Sequence, residues 1–189
     1  MIRCYITDRR SLREGDTLTD CIVRILSRPS ATPDWIQLRE KDLPARDLLE
    51  LARAIRRVAP SLKLLVNSRV DVALAAGADG AHLPAGSPEA RLWRPIAPPG
   101  FLIGVSCHSV DEVRAAEAGG ADYALFGPVF APVSKPSGLV PRGLSGLARA
   151  VSAGRIPVLA LGGITRENRA ACLEAGAAGI AGISLFQNC

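Results

Sequence analysis

Ala75-Ala76-Gly77-Ala78-Asp79-Gly80, running into Ala81-His82-Leu83, is a pattern that the chain uses three times. It returns as Ala118-Gly119-Gly120-Ala121-Asp122 before Tyr123-Ala124-Leu125-Phe126, and as Ala175-Gly176-Ala177-Ala178-Gly179 before Ile180-Ala181-Gly182-Ile183. Each time an alanine-rich helical end meets a glycine able to take the positive φ of a helix C-cap, and a short apolar strand follows. Helix-to-strand joints recurring in this way mark βα units and a parallel sheet. The other strands fall in the gaps, at 2–6, 35–38, 62–66, 101–105 and 157–161. Helical patterns lie between them, at 17–26, 44–58, 70–76, 88–93, 110–118, 144–153 and 166–175. Eight strands and seven helices predict an α/β fold, a TIM (β/α)8 barrel lacking the final helix, because the sequence stops at Asn188-Cys189. A doubly wound open sheet is the alternative, weakened by the absence of a GxGxxG after the first strand.

At 189 residues and 48% hydrophobic, the chain is expected to form a single domain, 1–189, with a real core. Its net charge of +5 comes mostly from scattered arginines at helical surface spacings, such as Arg53, Arg56, Arg57 and Arg91. With only 4% aromatics and no basic stripe interleaved with stacking residues, a nucleic-acid partner is not expected. A modest preference for anionic small molecules is the most that this charge implies. The five cysteines, Cys4, Cys21, Cys107, Cys172 and Cys189, are odd in number and fit neither a zinc spacing nor a disulfide framework. A reduced, cytoplasmic enzyme is expected, with no signal peptide and no membrane span.

In a parallel barrel, chemistry gathers at the C-terminal ends of the strands. Ile103-Gly104-Val105-Ser106-Cys107-His108 delivers one of the chain's two histidines to such an end. Imidazole can both take and give a proton near neutrality, so His108 is the candidate acid/base; capping the following helix is the plainer reading. Gln37-Leu38-Arg39-Glu40-Lys41 ends the second strand, and alternation puts Gln37, Arg39 and Lys41 on one face, as donors to a phosphate or carboxylate or as a surface salt-bridge patch. Asn67 can bind a ligand after strand three, whereas Arg69 and Asp71 read as the start of a helix. Ser106 joins the substrate set beside His108. His82 lies inside an apolar strand and reads as a hydrogen-bonded core histidine. Cys107 could be reactive, but a cysteine after a strand is more often small filler. The Pro/Gly/Ser-rich stretch Phe126 to Gly138 suggests a lid from which Lys135 could reach an anion; a plain connection is the other reading. Gly162 and Gly163 after strand seven, with Ile183 and Ser184 after strand eight, are expected to form a phosphate cradle of open backbone N–H groups.

These residues, in this order, resemble the thiamine-phosphate synthase superfamily. The resemblance rests on Tyr5-Ile6-Thr7-Asp8, Gln37 to Lys41, Asn67-Ser68-Arg69-Val70-Asp71, Gly77 to Leu83, Gly104 to Ser109, Gly120 to Tyr123, Phe126 to Phe130 and Gly162-Gly163-Ile164. It implies a TIM barrel acting on thiazole phosphates in thiamine biosynthesis. The superfamily's synthase joins a pyrimidine pyrophosphate to thiazole phosphate with magnesium held by two aspartates. One belongs directly after the strand-three Asn, where this chain has Ser68. The other belongs after strand four, where this chain reads Leu83-Pro84-Ala85-Gly86-Ser87. Magnesium relies on carboxylates in addition to substrate phosphates, so pyrophosphate displacement should be impaired.

The second branch, the thiazole tautomerase (TenI-like) proteins, resembles this chain in its small residue after the Asn and in its Leu-Pro-x-Gly-Ser run. Its proton-moving histidine aligns with His108. Pro132 and Ser134 depart from the synthase pattern, which has threonines flanking the lysine. The expectation is therefore an isomerase that aromatises a carboxythiazole phosphate, with no metal or cofactor required. The alternative is the synthase, for which Mg2+ would be needed, and a third reading is a non-catalytic thiazole-phosphate sensor. A second copy of the chain is a possible partner, because a barrel without its last helix leaves apolar strand surface bare.

Overall fold

A computed structural model describes residues 1–29, 32–131 and 140–188. The eight strands are β1 (Ile2–Ile6), β2 (Trp35–Leu38), β3 (Lys63–Asn67), β4 (Gly80–Leu83), β5 (Leu102–Cys107), β6 (Tyr123–Phe126), β7 (Val158–Leu161) and β8 (Gly179–Gly182). They pair in sequence order, all parallel, and β8 closes onto β1 with Ile2 beside Gly179. The helices are α1 (Leu18–Leu26), α2 (Ala45–Val58), α3 (Val70–Ala75), α4 (Val110–Ala118), α5 (Gly143–Val151), α6 (Arg169–Glu174) and α7 (Ser184–Gln187). The predicted TIM barrel is the observed fold.

Alternation along the strands divides the core in two. Cys4, Ile6, Leu65, Tyr123, Leu125, Leu159 and Ala181 point inward and fill the barrel. Tyr5, Ile36, Leu38, Leu64 and Val66 point outward to the helices. On α2, Leu48, Ala52 and Ile55 recur every three or four residues and are all buried, so one stripe of that helix lies on the sheet. Tyr123 is the largest side chain inside the barrel together with the partly buried Trp35, and the two rings meet edge to face with centroids 5.0 Å apart. Gly104 is required beside them, since a Cβ there would fall within the Tyr123 ring.

The repeated joint has a structural purpose. Gly77, Gly120 and Gly176 all take positive φ, at 62°, 83° and 94°. In two joints the aspartate then clamps the bottom of the barrel. Asp79 accepts a hydrogen bond from the Leu64 N–H of β3 at 2.7 Å and pairs with Arg56 at 2.5 Å. Asp122 accepts from the Ile103 N–H of β5 and pairs with Arg94, both at 2.6 Å. Asp34, ahead of β2, accepts from the Arg3 N–H of β1 at 2.8 Å in the same manner. The third joint has Ala178 in that place and no such clamp.

Three sequence expectations need correction. The helix expected at 88–93 is a 3-10 segment, Ala90–Ile96, with Pro95 inside it, a residue whose missing N–H and fixed φ do not allow a regular α-helix to propagate. α6 begins three residues later than expected, because Thr165 and Asn168 form a turn in which the Thr165 N–H donates to Asn168 Oδ1 at 2.8 Å. A helical turn, α7, follows β8 where no helix was expected. On α7, Phe186 packs against Tyr5 with ring centroids 5.7 Å apart. Gln187 donates to the Asp8 carbonyl at 3.1 Å and accepts from the Asp8 N–H at 3.1 Å. That turn lies against the end of β8, where Leu185 approaches Gly182.

Candidate active site

Six of the eleven expected site residues converge on a cavity of about 510 Å3 at the C-terminal mouth of the barrel. Its lining includes Arg39, Lys41, Asn67, Ser106, His108 and Gly162, drawn from the ends of β2, β3, β5 and β7. Pro84, Ala85, Gly127, Pro128 and Leu161 complete it; the first four lie in stretches quoted above, though none was named as a site residue.

His108 is held from two sides. Its backbone N–H donates to Glu112 Oε2 at 2.5 Å, and Ser109, not His108, is the N-cap of α4, its Oγ accepting from the Glu112 N–H at 3.1 Å. The imidazole is thereby spared for the cavity. Its Nδ1 lies 2.6 Å from the Gly127 carbonyl. A carbonyl only accepts, so Nδ1 carries the proton and Nε2 is the basic atom of the neutral ring. The anchor is backbone, which is why His108 alone did not disclose it; the Phe126-Gly127-Pro128 run quoted above was its only signal.

The Gln37-Arg39-Lys41 face divides. Arg39 and Lys41 lie past the strand and line the cavity. Gln37 is buried and donates from Nε2 to Asn67 Oδ1 at 3.1 Å, while its Oε1 has no partner among the described residues. Asn67 in turn donates to Ser68 Oγ at 2.8 Å. Between the two cationic residues, Glu40 turns back into the protein. Its carboxylate accepts from Thr7 Oγ1 at 2.6 Å, from the Arg9 N–H at 3.2 Å and from the Arg9 guanidinium at 3.2 Å. Arg69 and Asp71 pair with each other at the start of α3, as their spacing suggested.

The expected phosphate cradle is not one surface. Gly162, at φ 94°, borders the cavity beside Pro128. Ser184 borders a separate groove of about 460 Å3 with Arg28, Thr165 and Asn188. Gly163 and Ile183 line neither. Lys135, with Pro132 and Ser134, lies outside the described residues.

His82 is a core histidine, as read from the sequence: it is 1% exposed, with Nδ1 3.1 Å from the Tyr123 hydroxyl and Nε2 2.8 Å from Ser106 Oγ. Burial, aided by the nearby Arg39 charge, lowers its pKa to about 3, so the ring is neutral at ordinary pH. Cys107 is fully buried and its thiol is pushed up to about 12, mainly by desolvation, in keeping with a small packing residue.

The magnesium of synthase chemistry does not fit the donors present. Ser68 stands at φ 64° with its hydroxyl taken by Asn67. Among the described residues no Asp or Glu lines this cavity, although Glu40 lines the adjoining one with Lys41, Asn67 and Ser68. Glu40, between Arg39 and Lys41, is already engaged by Thr7 and by an Arg9 guanidinium that it shares with Asp42.

Comparison with known proteins gives the family of this barrel. A thiamine-phosphate synthase of Methanoculleus marisnigri is 44% identical over 182 residues, covering 95% of this chain and 85% of that one. One from Chlorobium luteolum is 44% identical over 186 residues, covering 97% and 84%. The structure of thiamine phosphate pyrophosphorylase from Pyrococcus furiosus superposes with a TM-score of 0.84 at 33% identity, covering all of this chain and 88% of that one. The family profile described as thiamine monophosphate synthase matches residues 4–186, and the chain belongs to that family.

Proposed function

We propose that this barrel is an enzyme of thiamine biosynthesis that binds a thiazole phosphate in the His108 cavity and moves a proton on its ring. The observation that carries the choice of reaction is the cavity lining: two cationic side chains, the Asn67 amide and the Ser106 hydroxyl surround one imidazole, with no carboxylate among the described residues that line it. In this reading the substrate is a carboxythiazole phosphate not yet aromatic. Arg39 and Lys41 hold its carboxylate and the Gly162 backbone faces its phosphate. His108 Nε2 takes the proton as a ring C–H bond breaks. The electron pair shifts through the ring to the exocyclic double bond, and the same nitrogen returns the proton to the exocyclic carbon. Atoms and electrons balance without a co-reactant, and the step calls for one group able to act as base and then as acid.

The relatives favour the other reading. Those from Methanoculleus and Chlorobium are named thiamine-phosphate synthase, and the Pyrococcus structure is titled a pyrophosphorylase, so the comparisons back the transferase more than the isomerase. Two assays separate them. In D2O, the wild-type protein should exchange deuterium into a carboxythiazole phosphate and isomerise it without added metal. His108→Asn should lose at least about 100-fold of that rate, the usual scale of one acid/base group, with binding retained. Release of pyrophosphate from pyrimidine pyrophosphate and thiazole phosphate with Mg2+, in the absence of proton exchange, would establish the synthase instead.

A further inference from the structure

The barrel interior contains a hydrogen-bond chain that the proton shift does not use: Tyr123 hydroxyl, His82 imidazole, Ser106 hydroxyl, at 3.1 and 2.8 Å. It begins at the core, where Tyr123 is 1% exposed, and ends at the cavity, which Ser106 lines. The direction of its hydrogens can be worked out from which groups must be satisfied.

Tyr123's hydroxyl is enclosed by apolar neighbours, and its ring stands against Trp35 and over Gly104. Among the described residues, its one polar partner is His82 Nδ1. A buried phenol whose proton meets no acceptor loses a full hydrogen bond, so the hydroxyl donates to Nδ1. Nδ1 is then bare, and the neutral ring carries its hydrogen on Nε2. That Nε2–H donates to Ser106 Oγ, leaving the serine's own hydrogen free to point elsewhere. With the opposite polarity, Ser106 would donate into the protein and the Tyr123 proton would be stranded.

We propose that Tyr123 and His82 are positioning residues that set Ser106 as a hydrogen-bond donor toward the cavity, so that the site selects a ligand bearing an acceptor, such as a carboxylate oxygen or an unprotonated ring nitrogen, at that point. Desolvation keeps His82 neutral down to about pH 3, so the polarity holds throughout the working range. The two histidines thus have mirrored states: His108 is Nδ1-protonated through a carbonyl, and His82 is Nε2-protonated through a phenol. This inference builds on the cavity as the ligand site but not on which reaction occurs there.

Nitrogen-15 NMR on the full chain reads the tautomer directly, and with two histidines the His108→Asn spectrum assigns both. His82 should show a protonated Nε2 and a bare Nδ1 at pH 7; the reverse pattern overturns the proposal without any Tyr123 variant. Binding of a thiazole carboxylate then tests the consequence. Ser106→Ala should weaken it about tenfold, the scale of one hydrogen bond to a charged acceptor. Tyr123→Phe keeps the ring packing but frees the polarity, and it should give part of that loss. The double variant should be no weaker than Ser106→Ala alone, because both act through one hydrogen bond. Additive losses, or a Tyr123→Phe protein that binds as wild type, would end the idea. Failure of the isomerase assay with the expected tautomer present would count against the reaction and leave this device standing.

Discussion

Acidification should destabilise the fold through His82 before it reaches any carboxylate. In the native state burial holds this ring neutral with a pKa near 3, whereas in the unfolded chain it returns to about 6.5. Between those values the unfolded chain binds the proton and the native one does not, so stability is complete above pH 6.5 and drains away as pH falls towards 3. The full gap of about 3.5 units sets an upper limit of roughly 5 kcal/mol, at about 1.4 kcal/mol per unit. From pH 7 to pH 5 the expected loss is about 2 kcal/mol, enough to move a urea midpoint by roughly 1 M. Urea unfolding at pH 7, 6 and 5 should show this slope in the wild type and its removal in His82→Gln. His108 is present in both proteins, so its titration cancels in the comparison. A direct NMR titration of His82, silent from pH 8 to pH 4, checks the same point if the variant folds poorly. Equal pH slopes for the two proteins, or a His82 signal titrating near pH 6, would refute the assignment of a buried, neutral ring.

Two further changes test how the barrel is built. Gly104→Ala should destabilise by about 1–3 kcal/mol or more, since its methyl would enter the Tyr123 ring and both groups are fixed by packing; thermal unfolding reads it, and Tyr123→Ala in the same chain should relieve part of the loss. Asp122→Asn should lose about 1–2 kcal/mol, the lower part of the range for charge-assisted bonds because the Arg94 pair is about one-third exposed; chemical denaturation checks this, and an unchanged midpoint would mean the clamp is ornamental.

The legible parts of this protein and the obscure ones lie at opposite ends of the same strands. The Gly-Ala joints were visible because a backbone need marks them, a positive φ at Gly77, Gly120 and Gly176; the aspartate clamps at Asp79 and Asp122 were not read from the sequence. Strand number and order followed, while boundaries shifted by a residue or two, as at β5, which continues through Ser106 and Cys107. At the C-terminal mouth the residue types Arg39, Lys41, Asn67, Ser106 and His108 were readable, since polar groups ending apolar strands stand out. What each one does there was not. Gln37 was grouped with Arg39 by alternation, yet it is buried against Asn67, because its strand is still inside the barrel at that point and the two cations lie beyond it. The grip of Gly127 on His108 and the polarity imposed by Tyr123 depend on neighbours 19 and 41 residues away, respectively. No period or motif within one strand encodes those pairings. The glycine joints at the bottom of the barrel repeat a local backbone rule along the chain, and so they can be read in one dimension, although the aspartate clamps beside them cannot. The top is assembled from single residues of different strands, and its chemistry turns on which nitrogen holds a hydrogen. That hydrogen is assigned by whether the facing atom can only accept, as at Gly127, or must donate, as at Tyr123.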